Sequence, residues 1–280
     1  MTLAGDRHAA PELVEAPLRF LADRENVAVY VASVGGGEVP EHEGSFVMQR
    51  VSIHNGRARA RAFSLDREGF VLVPQFTKVR DFYDDNQTAT IYEDEVKALV
   101  ERETGATRIE IFDHTRRAVS EDTRKSRLIR EPASTVHNDY TAASAPKRLR
   151  EHFIHTPEEA EKLLESRFAV VNVWRSIKGT VQTAPLALCD ASSVAPEDLV
   201  AVTRKAKDRI GEIQMALHSP HQRWYYFPGM TMDEALLIKT FDSETDGRAR
   251  FTIHTAFDDP AAPAHAPSRE SIETRCFAFF

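Results

Sequence analysis

The segment STVHNDYTAASAPKRLREHF, running from Ser134, contains His137, Asn138 and Asp139, the one place in the chain where a histidine is followed two residues later by an acid. On an extended strand, residues i and i+2 face the same side, so this imidazole and carboxylate can aim at one point. One histidine and one carboxylate make two-thirds of a facial triad, an arrangement that leaves metal positions open for other molecules. Composition alone yields such a pair about once in a chain of this make-up. The pair therefore acquires meaning only with a third ligand and a reason for open positions.

The remaining histidines are unequal candidates. His42, His54 and His265 sit in turn-like or proline-rich sequence, and His152 and His155 flank a helix start. His114 precedes two arginines, which disfavours a cation, and His218 and His221 bracket a turn. His254 lies in ARFTIHTAF, a β-prone run in which Thr252 and Ala256 share its face and leave room for an ion. The alternative for His254 is an ordinary hydrogen-bonded histidine in the core or at a sheet edge. Downstream, Arg269 and Ser271 would share one face of the last strand. A guanidinium fork matches a carboxylate, and a hydroxyl beside it adds a bond. A metal with open positions next to such a pair is the layout for a 2-oxo acid: keto oxygen and near carboxylate on the metal, far carboxylate on the arginine. The alternative for Arg269 is a surface charge or a bridge to Asp258 or Asp259.

The chain around these residues has 280 residues, 42% hydrophobic content, a formal charge of −7 and a pI near 5.9. Lysine and arginine are scattered, without a basic stripe, so neither nucleic acid nor an anionic membrane is an expected partner. Cys189 and Cys276 are far apart and outside any C-x-x-C, which suits free thiols in a reducing cytoplasm. The first residues lack the apolar core of a signal peptide, and no run approaches a membrane span. The expectation is a cytoplasmic globular protein.

Most of the chain reads as short strands between turns: VAVYVAS, SFVMQRVSIHNG, RARAFSL, FVLVPQF and TRIEIFDH in the first half, then RFAVVNVWRSI, APLALCD, EIQMALHS, RWYYFPG, ALLIKTFDS, ARFTIHTAF and SIETRCFAFF. A helix is expected over 92–103, stopped by Gly105, and another from Thr156 to about 166, with Thr156 and Glu159 as a capping box. A short helix is expected between 197 and 207, and an exposed connection over 115–130. This pattern predicts a mainly β protein with a few helices, a jelly roll in one domain of residues 1–280. Residues 131–280 would form the core with the metal site, and the strands and helix of 1–130 would extend the sheets or cover one end.

The stretches FDHTRR, VHNDYT, NVWRSI, APLALCD, HQRWYYFPGM, EALLIKTFDS, HTAFDDP and SRESIETR, in this order, resemble the iron(II)/2-oxoglutarate-dependent oxygenases with a double-stranded β-helix core. More narrowly they resemble the asaB-type hydroxylase/desaturase family, which includes the hydroxylase component of cephalosporin 7α-methoxylation. The resemblance implies Fe(II) on His137, Asp139 and His254, 2-oxoglutarate as co-substrate on Arg269 with Ser271 assisting, and O2. Arg275, six residues on, competes with Arg269 as the anchor, because the spacing from His254 to Arg269 is longer than the family's usual one. It further implies hydroxylation or desaturation of a small molecule in natural-product biosynthesis, with release of succinate and CO2. Trp174, Arg175 and Tyr226 are candidates for substrate contact, with core packing as the alternative for both aromatics. Arg175 and Lys239 could instead be paired with an acid, Arg175 with Asp190. The resemblance is compatible with a homodimer, and the sequence leaves the oligomeric state open. Two rival readings stand beside it: a non-redox cupin-type metal hydrolase or isomerase, and a catalytically silent jelly roll that binds a small molecule.

Overall fold

The computed structural model describes residues 10–25, 29–33, 35–38, 41–206 and 209–280, with backbone only at 41 and 42. Fifteen strands form among them: β1 (Leu13–Leu21), β2 (Val29–Val31), β3 (Glu41–Glu43), β4 (Phe46–Asn55), β5 (Phe70–Pro74), β6 (Arg108–Ala118), β7 (His137–Asn138), β8 (Phe168–Ser176), β9 (Leu186–Cys189), β10 (Leu199–Ala206), β11 (Arg209–Ala216), β12 (Trp224–Tyr226), β13 (Glu234–Asp242), β14 (His254–Ala256) and β15 (Glu270–Phe279). The helices are α1 (Asp85–Gln87), α2 (Glu93–Thr104), α3 (Glu121–Arg127), α4 (Ser144–His152) and α5 (Pro157–Leu164).

The strands form two facing sheets of a jelly roll. One has the order β1-β4-β12-β9-β14-β7-β11-β10-β2-β3 and the other β5-β13-β8-β15-β6. Strands from before residue 131 are hydrogen-bonded into both: β4 pairs with β12, β5 with β13 and β6 with β15. The N-terminal strands therefore extend both sheets.

Strand β8 is buried along its whole length, because both of its faces are covered. Ala169, Val171 and Val173 pack outward with Val96, Leu99 and Val100 of α2. Phe168 and Val170 face inward with Phe241 and Phe277. This two-sided burial fixes the register, since a slip of one residue would exchange the two faces.

Several expectations are corrected. RARAFSL is no strand: Arg57–Ala62 forms a 3-10 helix, since no partner strand lies beside it and Arg57 turns back to pair with Glu234. The expected helix at 197–207 is one 3-10 turn, Pro196–Asp198, followed by β10. The β-branched Val200, Val202 and Thr203 lie in a full antiparallel register with β11, which outweighs local helix propensity. The connection at 115–130 contains the end of β6 and all of α3. Thr156 makes no side-chain cap, although Pro157 opens the helix as expected. Gly105 ends α2 in the left-handed conformation at φ 73°. Of VAVYVAS, residues 27 and 28 lie outside the described residues, as do residues 1–9.

Lys239 is paired. Its Nζ lies 2.7 Å from Asp66 and 2.9 Å from Asp242, while Arg167 donates to both oxygens of Asp242 at 3.2 and 2.8 Å. Burial pushes the Asp242 carboxyl up, but Arg167 and Lys239 outweigh it and hold it below its ordinary 3.8. The stability this pair contributes is thus present above the ordinary carboxylate range and lost as pH falls through the lower folded value. Asp242→Ala leaves the buried Lys239 with Asp66 alone and should cost about 1–3 kcal/mol in urea unfolding at neutral pH. The variant should also lose part of the wild type's acid-side decline.

Candidate metal centre

Strand β14 pairs with β7 so that His254 stands opposite His137, with ring centroids 4.6 Å apart. Asp139 follows directly after β7. One ligand atom from each of the three residues lies within 4.8 Å of the others. Points so spaced share a centre within about 2.8 Å, and small side-chain rotations reach the roughly 2.0–2.2 Å of nitrogen and oxygen metal bonds.

The protonation pattern fits a metal as well as the spacing does. His137 Nδ1 lies 2.8 Å from the Thr135 carbonyl and His254 Nδ1 2.9 Å from that of Thr252. A carbonyl only accepts, so each Nδ1 carries the proton and each Nε2 presents a lone pair. Burial, then the neighbouring His137, lowers the pKa of His254 and keeps it neutral. Burial pushes the Asp139 carboxyl up, but the Arg275 guanidinium outweighs it and holds it well below the usual carboxylate range.

Two residues orient that carboxylate. Arg275 Nε donates to Asp139 Oδ2 at 2.9 Å and Asn172 Nδ2 donates to the same oxygen at 2.7 Å. Oδ1 is left toward His137, 3.6 Å from its Nε2. Asn138, buried between the two ligands, ties their strand to its neighbours. Its amide donates to the carbonyls of Tyr140 and Thr240, and its oxygen accepts from the Thr252 backbone.

Ser271, Glu273 and Arg275 share the inner face of β15, and Arg269 stands one residue before the strand, in step with them. Arg269 is 2% exposed, its Nη1 donates to the Ala184 carbonyl, and its guanidinium lies 5.4 Å over the Trp174 ring. Among the described residues no carboxylate forms an ion pair with it. Its Nε and the Ser271 hydroxyl are buried without partners. Burial pushes the Arg269 pKa down to about 9. A buried cation and a hydroxyl with unused hydrogen-bonding capacity fit the far carboxylate of a 2-oxo acid.

Arg275, the competing anchor, is fully engaged. Besides Asp139 it bonds Asp113 at 2.7 Å, Thr115 at 3.0 Å, and Glu273. Arg175 lies on the other face of β8, against Phe82 and Tyr92, bonded to the carbonyls of Gln75 and Met232. It meets none of His137, Asp139 and His254, nor Asp190, which pairs with Arg223. The even-odd alternation of β8 decides this, since Asn172 and Trp174 face inward and Arg175 therefore cannot. Trp174 is core, packed with Phe70 and Tyr225 beneath Arg269. Tyr226 stands across from Ala187 and Thr255, one residue out of step with His254 and Leu188. It therefore faces away from His254 and packs on Phe257.

Sequence reasoning missed Asn172, Asn138 and Asp113. A polar amide in the middle of FAVVNVWRS was the available signal, since a buried asparagine needs partners. A cavity of about 580 Å³ opens onto His137, Asp139 and Arg275. Both cysteines are buried and free, and burial pushes the Cys276 thiol up to about 12.

A jelly roll holding a His-x-Asp and a distal His, with an unpaired inward arginine at the start of its last strand, is the architecture of the iron(II)/2-oxoglutarate-dependent dioxygenases, the class to which this chain belongs. Residues 18–279 match the family described as "Oxidoreductase/YMDC permease-like domain", and the chain is a member of that family. No described helix is long and apolar enough to cross a membrane. The chain is 32% identical over 274 residues to the hydroxylase/desaturase efuI of Hormonema carpetanum, covering 89% of this chain and 90% of that one. It is 35% identical over 239 residues to the Fe(II)/2-oxoglutarate-dependent dioxygenase nvfI of Aspergillus novofumigatus, covering 82% and 83%. A solved structure, the iron and alpha-ketoglutarate-dependent endoperoxidase NvfI, superimposes with a TM-score of 0.83 at 30% identity over 96% of this chain and 98% of that chain.

Arg275→Met should release Asp139 and weaken Fe(II) binding about 10–100-fold, with Asn172→Ala weaker in the same direction, both read by anaerobic metal titration. Arg175→Met should leave Fe(II) affinity unchanged and stability nearly so, because an under-bonded buried guanidinium is replaced by an apolar chain of similar length.

Proposed function

We propose that this protein is an Fe(II)- and 2-oxoglutarate-dependent oxygenase that hydroxylates or desaturates a small-molecule substrate of natural-product biosynthesis. His137, Asp139 and His254 would hold the iron, and Arg269 with Ser271 the far carboxylate of 2-oxoglutarate. The observation that carries this reading is the pairing of two outward Nε2 lone pairs and one oriented carboxylate with a buried arginine that no acid neutralises. When bound, ferrous iron supplies the coupling of 2-oxoglutarate oxidation by O2, with loss of CO2 and succinate, to removal of hydrogen from a substrate carbon.

The chain's own residues do the rest. The Thr135 and Thr252 carbonyls fix both imidazoles in the ligand tautomer. Arg275 and Asn172 keep Asp139 ionised and presenting one oxygen. Trp174 stacks beneath Arg269 and, with Phe70, Leu188 and Tyr225, keeps water from the anchor. A metal hydrolase would have no use for this buried guanidinium, and a silent binding protein none for two oriented imidazoles. The relatives' names span hydroxylase/desaturase and endoperoxidase, so the outcome on carbon follows from how each cavity poses its substrate. The two free cysteines suit a cytoplasmic setting.

Anaerobic addition of Fe(II) and 2-oxoglutarate should produce the weak visible charge-transfer band of a chelated 2-oxo acid. His254→Ala should abolish it. Arg269→Ala should retain Fe(II) but weaken 2-oxoglutarate about 10–100-fold, the cost of one charged hydrogen-bonded anchor. No band in folded, iron-loaded wild type would sink the proposal.

A further inference from the structure

The cavity above the metal ligands is basic, although the chain carries a net charge of −7. Nine lysine and arginine residues line it against five carboxylates. The carboxylates are engaged. Asp113 and Asp139 bond Arg275, and Glu151 lies 3.8 Å from Arg148 and 3.5 Å from Arg209. Glu212 accepts from Thr141 at 2.5 Å, and Glu131 from Ser33 at 3.0 and 3.1 Å. Arg130 and Arg204 have no such partner: among the described residues neither guanidinium meets a carboxylate or a hydrogen-bond acceptor. Both line the cavity, where Arg204 feels the charge of Arg275 and Arg130, and Arg130 that of Arg117 and Arg275, offset in part by Asp113.

The strand register fixes where they stand relative to the metal. On β11, Met215 lies across from His137, and Gly211, four residues away on the same face, lies across from Arg204. Four residues of strand span about 13 Å. Gly211 has no side chain, and a Cβ there would meet nothing within 4 Å, so the floor in front of Arg204 is open. Burial, together with neighbouring guanidinium groups, lowers the pKa of both arginines, which marks them as cations held at a cost until an anion arrives.

We propose that the substrate is an organic acid whose carboxylate is bound between Arg130 and Arg204 at the far end of this cavity, with its reacting carbon reaching back toward His137 and Asp139. The assignment rests on the reading of this cavity as the substrate chamber of a 2-oxoglutarate oxygenase. It assigns the two arginines to the substrate and Arg269 to the co-substrate, so each carboxylate has its own cation.

The test uses the full-length protein and two probes, 1-naphthoate and its neutral counterpart 1-naphthamide, followed by calorimetry, beside an anaerobic Fe(II)/2-oxoglutarate titration. Wild type should bind naphthoate at least tenfold more tightly than naphthamide. Arg130→Gln and Arg204→Gln should each remove most of that preference while leaving 2-oxoglutarate affinity unchanged. Both should melt no lower than wild type, because neutralising one of two unpaired like charges relieves repulsion, whereas an arginine with a structural role would lower the melting temperature. Gly211→Leu, which fills the floor without changing charge, should weaken naphthoate binding at least tenfold. Equal binding of the two probes, or a preference that survives in the double arginine variant, would overturn the proposal. So would loss of the 2-oxoglutarate band in the arginine variants, which would give these residues to the co-substrate. If wild type itself shows no band, the oxygenase reading fails, and the naphthoate comparison still reports on the arginines.

Discussion

The site depends on one buried carboxylate. Asp139 sits where β7 leaves its sheet and crosses toward the other, and a carboxylate there is costly unless it is paired and hydrogen-bonded. Arg275 and Asn172 supply both conditions, and they come from adjacent strands of the opposite sheet, across from one another in register. The ligand is therefore positioned by the packing of sheet on sheet. Anything that shifts β15 against β8 moves the oxygen that faces His137.

The same strands separate two kinds of chemistry by the alternation of their side chains. The inner face of β8 carries Asn172 and Trp174, which serve the metal ligand and the arginine beside it. The outer face carries Arg175 among the aromatic residues under α2. Likewise Arg269, just before β15, and Ser271, Glu273 and Arg275 on it face inward, while Ile272, Cys276 and Ala278 pack outward. A polar line on a buried strand is stable here because its members bond one another or await a ligand. The two arginines of that line differ in this respect. Arg275 has three acids and holds the Asp139 carboxylate in place, whereas Arg269 pairs with none among the described residues.

Charge is distributed accordingly. An acidic chain lines the cavity with Arg130 and Arg204, which form no ion pair among the described residues, and keeps its carboxylates elsewhere or already engaged. In a partly desolvated cavity such cations attract an anion more strongly than surface cations do. They also oppose one another, so the ligand-free protein gives up stability that a bound anion returns.

What the sequence determined by itself was local or followed from the identity of the motif. Period-two runs specified most of the strands, Gly105 the end of α2, and Pro157 the start of α5. His-x-Asp in an extended stretch supplied a candidate ligand pair, because strand geometry alone puts both side chains on one face. RARAFSL and the segment at 197–207 depart from their local pattern because a backbone takes strand or 3-10 form according to whether a partner strand is present, which local propensity does not encode. Only the tertiary structure decided which long-range partners meet. It brought His254 opposite His137, a distance of 117 residues along the chain (254 − 137 = 117). It gave Arg275 to Asp139 and left Arg269, six residues earlier, without an acid among the described residues. It turned Arg175 and Tyr226 away from the site and gathered Arg130 and Arg204 beside it. Strand register and the closure of one sheet over the other set those relations, and both arise from burial summed over the whole chain.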